Sequence, residues 1–118
     1  MTWYVFNLDK DDTNFDGVAR QCFRKNPNSC ISWALSASYA YYCRYESLLS
    51  DTTYDKMMKY ILDNYEKLEH PHKHLLKKES LTAGTAFHLK AEDYPAIVRN
   101  STEAFIKQLN IHLNRMEG

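Results

Sequence analysis

The chain has 118 residues, which suits one domain with a thin core. Hydrophobic residues make up 44% and charged residues 25%, with three Gly and three Pro, so collagen-like and long disordered chains are excluded. Lys plus Arg and Asp plus Glu both number 15, and that balance argues against nucleic acid as a partner, because phosphate binding normally draws on a basic excess.

Trp3-Tyr4-Val5-Phe6 is a short apolar run, read as a brief strand or an extended N-terminal segment. Asp11 to Lys25 reads as a first helix with Phe15, Val18, Ala19, Cys22 and Phe23 on one side, and Asn26-Pro27-Asn28 breaks it. Ser29 is placed to cap a second helix. Its apolar positions, Ile31, Ala34, Leu35, Ser38, Tyr41, Tyr42 and Tyr45, recur at helical steps, and it is expected to end near Glu46–Leu49. Ser50 caps a third helix with Asp51 in its first turn, where the helix dipole favours negative charge. Tyr54, Met58, Ile61, Tyr65 and Leu68 form its buried stripe, and Pro71 is expected to end it. His70 to Lys78 reads as a basic turn or short helix, and Leu81 to Leu89 as irregular. A last helix opens at Asp93 or Tyr94 with Pro95 in its first turn; Val98, Ser101, Phe105, Leu109, His112 and Met116 line one face. The expectation is an all-α fold, one small helical domain of four to five helices spanning 1–118.

The three cysteines, Cys22, Cys30 and Cys43, form no Cys-x-x-Cys pair. No basic-plus-apolar leader and no apolar run of about 20 residues is present. A cytoplasmic protein with reduced thiols and no membrane partner is expected.

Chemistry concentrates around the second helix break. Asp51, Tyr54 and Asp55 fall at i, i+3 and i+4 and share one flank of a helix start. Carboxylates accept from amides and ribose hydroxyls and favour a cationic ring. Tyr41 or Tyr42, one helix earlier, is placed to stack on such a ring, and Arg44 is available for a phosphate. The structural alternative is a stabilised helix start beside core tyrosines.

The motifs Tyr39-x-Tyr41-Tyr42, Asp51-x-x-Tyr54-Asp55 and Glu69-His70-Pro71 carry a resemblance. Residues 29–75 resemble the helical hairpin of the N-terminal Ia domain of bacterial NAD-dependent DNA ligases. In that family the domain recognises the nicotinamide mononucleotide half of NAD. The resemblance implies NAD or nicotinamide mononucleotide as the cofactor, with Tyr41, Asp51, Tyr54 and Asp55 as contacts; Tyr42 stands where the family usually has His. A longer likeness, through Glu69-His70-Pro71-His72-Lys73-His74-Leu75, Ala83-Gly84-Thr85 and Tyr94-Pro95, is to short phage-type proteins related to this ligase. It implies a phage accessory protein in the host cytoplasm, with host or phage replication or repair machinery as a protein partner. The ligase nucleophile motif Lys-x-Asp-Gly is absent, so the covalent adenylation step is not available to this chain and a non-catalytic module is expected. The alternatives are a protein-interaction module that keeps the fold without the ligand, using its tyrosines and the His/Lys patch, and an NAD-processing enzyme with Asp51 and Asp55 as acid and base.

His70, His72 and His74 alternate and are weak candidates for metal ligands; the competing readings are a solvated turn and, with Lys73, Lys77 and Lys78, an anion-binding patch. Ser80 to Thr85 lacks the phosphate-loop pattern, and no nucleophile elbow supports a hydrolase triad.

Overall fold

A computed structural model describes residues 8–82 and 89–117, and these carry five α-helices: α1 (Asp16–Lys25), α2 (Ser29–Cys43), α3 (Asp51–Asp63), α4 (Lys78–Thr82) and α5 (Ala96–Glu117). Short 3-10 turns at Lys73–Leu75 and Ala91–Asp93 join the later ones. No strand occurs among the described residues, and the all-α expectation is met. The N-terminal apolar run and the Ala83-Gly84-Thr85 motif lie outside the described residues.

The second helix organises the rest. Every residue from Trp33 to Ala40 is buried, so α2 is enclosed on all sides rather than amphipathic. One flank, with Ile31, Ala34, Leu35 and Tyr39, packs against Met58 and Ile61 of α3 and Tyr94 and Val98 near α5. The other, with Trp33, Ala37 and Ala40, packs against Phe15, Val18, Ala19, Phe105, Ile106 and Leu109. Trp33 stacks on Phe105 with centroids 5.2 Å apart, and Phe15 leans on both rings. Each fully buried side chain of this size contributes about 1.5–3 kcal/mol. The small residues Ala34, Ala37, Ser38 and Ala40 leave room for neighbours to approach α2 closely.

Several boundaries differ from expectation. The first helix starts at Asp16, not Asp11, because Asp12 closes a turn onto the Asp9 N–H and Asn14 accepts the Asp16 N–H; short polar side chains compete with the helix ladder here. Asn28, not Ser29, caps α2, and its side chain accepts from the Glu69 N–H instead of from its own helix. The third helix ends at Asp63, well before Pro71, with Asn64 turning its amide back onto the Tyr60 carbonyl. Tyr41 and Tyr45, placed on the apolar stripe of α2 by spacing, are exposed.

Candidate functional site

The link between α2 and α3 builds a cleft. Tyr45 adopts a left-handed conformation (φ 56°), and the N–H groups of Arg44 and Glu46 both donate to the Ala40 carbonyl. That turn stops α2 at Cys43, short of the expected Glu46–Leu49. Leu48 and Leu49 then plug into the core, and the Leu48 carbonyl accepts from the Phe15 N–H at 2.8 Å. Ser50 opens α3 as its spacing predicts, its hydroxyl accepting from the Thr53 N–H. Asp16 of α1 clamps this start from across the fold, accepting from the Ser50 N–H at 2.9 Å and from its hydroxyl at 2.6 Å. Sequence reasoning missed Asp16, since nothing local ties it to Ser50.

Between these anchors lies an open cleft of about 290 Å³, lined by Tyr41 and Tyr42 from α2, Asp51, Tyr54 and Asp55 from α3, and the loop between them. Tyr41 is 58% exposed and meets Tyr42 edge to face at 4.9 Å. Tyr54 is half-buried, and its hydroxyl lies 2.7 Å from Ser38 Oγ. Ser38 gives its only proton to the Ala34 carbonyl, so Tyr54 is the donor in that pair. Tyr54 therefore offers the cleft its ring face, its proton being spent inside. Asp51 and Asp55 are exposed and make no ion pair among the described residues, which leaves their oxygens able to accept from a bound group. The first turn of α3 supplies a favourable dipole for both.

Arg44 does not join them. Its guanidinium bonds Glu103 of α5 at 2.7 Å, with both side chains nearly half exposed, and it lines no part of the cleft. Among the described residues no cation lines the cleft, so a phosphate there would meet carboxylates rather than a guanidinium.

The histidine stretch is occupied with structure. His70 Nδ1 accepts from the His72 N–H at 3.0 Å, so Nε2 carries the proton and donates to Ser32 Oγ at 2.8 Å. Burial and then neighbouring His72 hold the His70 pKa below its ordinary value. Lys73 Nζ donates to the Tyr65 and Leu68 carbonyls and sits over the Tyr65 ring, while Lys78 pairs with Glu66. Among the described residues no group of three or more His, Cys, Asp or Glu side chains is arranged to hold a metal. Within the basic patch, His70 and Lys73 thus hold the turn after α3.

Burial pushes the Cys30 thiol up to about 11, and burial with Glu92 raises Cys43. Tyr94 is 1% exposed, with its phenol raised mainly by burial and its hydroxyl unpartnered among the described residues. Among the described residues no helix is long and apolar enough to cross a membrane. No family model, curated protein or solved structure matches the chain.

Proposed function

We propose that the chain is a non-catalytic binding module that takes the nicotinamide end of NAD, or nicotinamide mononucleotide, in the cleft between α2 and α3. One observation carries the reading: Tyr41, Tyr42 and Tyr54 and the free carboxylates of Asp51 and Asp55 line one water-accessible hollow. A pyridinium is flat and cationic, so it gains from phenol faces and from nearby carboxylates together. Its carboxamide donates N–H bonds that Asp51 or Asp55 accepts. The volume of about 290 Å³ sits at the lower edge of small-ligand pockets, ~300–1,000 Å³, and suits one ring rather than a whole dinucleotide. With Arg44 engaged by Glu103, the phosphate is left in solvent and contributes little. Binding is accordingly weak for the isolated chain, and a partner that covers the open side would tighten it.

Titration calorimetry with nicotinamide mononucleotide, NAD and AMP tests this. Heat is expected from the two nicotinamide ligands and none from AMP. Silence from all of them sinks the proposal. A second reading, a protein-interaction face without a ligand, draws on the exposure of Tyr41 and of Tyr45, which is 88% exposed at the same corner. Loss of a protein partner on Tyr45→Ala, with ligand heats absent, would favour it.

A further inference from the structure

A second concavity shares α3 with the cleft but none of its lining residues. α1 and α3 both pack on α2, and between them runs an open groove of about 460 Å³. Its walls are mostly apolar: Phe23 meets Tyr60 edge to face at 4.8 Å, with Met57 beside them. Its rim is cationic. Arg20 and Arg24, four residues apart on α1, and Lys56 on α3 line it, all exposed, and no carboxylate is among the lining residues. Among the described residues none of these cations has an ion-pair partner. In a chain whose formal charge is zero, this acid-free cluster is a local asymmetry.

We propose that this groove docks an acidic amphipathic helix of a partner protein. The apolar floor takes side chains spaced i, i+3 or i+4, and i+7, the mode by which helices enter grooves. The 10 residues of α1 form a bank about 15 Å long, which such a repeat spans. Carboxylates flanking the apolar stripe meet Arg20 and Arg24 on one side and Lys56 on the other, relieving the mutual repulsion of the cations. The adaptable Met57 side chain suits a surface that must fit a range of apolar anchors. The groove is open to solvent and cation-rimmed, and an acidic helix covers its apolar floor and meets the rim at once. This site stands apart from the nicotinamide reading and does not depend on it.

The test is selection of a helical-peptide display library on the intact protein. Recovered peptides should carry the apolar repeat with Asp or Glu beside it. Their affinity should fall with salt and drop about 10-fold or more in the Arg20→Gln/Arg24→Gln/Lys56→Gln variant. The charge-preserving Arg20→Lys/Arg24→Lys variant should keep most of the binding. NMR shifts should centre on Phe23, Met57 and Tyr60. Neutral or basic peptides, equal binding by the Gln variant, shifts at Tyr41 and Asp55 instead, or no recovered peptide would each overturn the proposal. So would tight dodecanoate binding in the groove without any peptide, or a groove-mediated dimer by sedimentation, since each names a different occupant.

Discussion

Tyr54 donates its hydroxyl proton to Ser38 Oγ at 2.7 Å, and Ser38 passes its own proton to the Ala34 carbonyl. This relay ties the first turn of α3 to the middle of α2 and fixes the tilt of the Tyr54 ring at the cleft. Replacing Tyr54 with Phe removes the donor and keeps the ring. Stability should fall by about 1 kcal/mol, read by urea denaturation, while nicotinamide mononucleotide affinity should stay within about twofold if, as proposed, only the ring face meets the ligand. A large loss of affinity with little loss of stability would place the hydroxyl in the cleft instead.

Charge is the second discriminator. Asp51→Asn and Asp55→Asn each remove a carboxylate from the cleft, and Tyr41→Ala removes an exposed ring. Each should weaken nicotinamide mononucleotide about 3–5-fold, since exposed charge and cation–π contacts are worth about 0.5–1 kcal/mol. The cationic 1-methylnicotinamide should bind better than neutral nicotinamide. Arg44→Ala, which breaks only the pair with Glu103, should leave affinity unchanged. Equal binding of the charged and neutral rings would remove the carboxylates from the account.

The His70 bridge makes stability depend on pH. In the fold its Nδ1 is an acceptor, so a second proton sets N–H against N–H at His72. The folded pKa lies below the unfolded value of about 6.5. Between those two values the unfolded chain binds more protons, so stability rises with pH. The contribution is complete above about pH 6.5 and is lost as pH falls through the folded pKa. Denaturation midpoints measured from pH 5 to 8 should show this fall, and His70→Asn should flatten it. An unchanged slope in the variant would assign the effect to other groups.

Tyr45 occupies a left-handed conformation that side chains with a Cβ resist, and it is 88% exposed. Tyr45→Gly should therefore stabilise the protein by about 1 kcal/mol, with little packing lost. Thermal denaturation reads it directly. Destabilisation would mean that the Tyr45 ring makes contacts worth more than the relief of strain.

Local spacing carried much of the architecture. Ser50 opening α3, the buried Met58 and Ile61, and the buried Val98, Phe105 and Leu109 all follow from helical period and capping chemistry, which act within a few residues, whereas Leu68 is buried beyond the end of α3. Proximity of Tyr41 and Tyr42 to Asp51, Tyr54 and Asp55 was legible for the same reason: a short turn joins the two helix ends, so the chain can hardly keep them apart. Helix ends were read less well. Tyr45, Asn14 and Asn64 stop or delay helices by backbone geometry and side-chain bonds that periodicity does not encode.

The partners chosen across long stretches of chain came from packing alone. Asp16 holds Ser50, Glu103 pairs with Arg44 away from the cleft, and Ser32 accepts the hydrogen bond of His70 Nε2. The groove between α1 and α3 belongs to the same class, because it exists only where two helices flank a third. A side chain's neighbours along the chain are set by covalent geometry, whereas its neighbours in space are set by how α2 is enclosed, and that depends on the packing of all the helices at once.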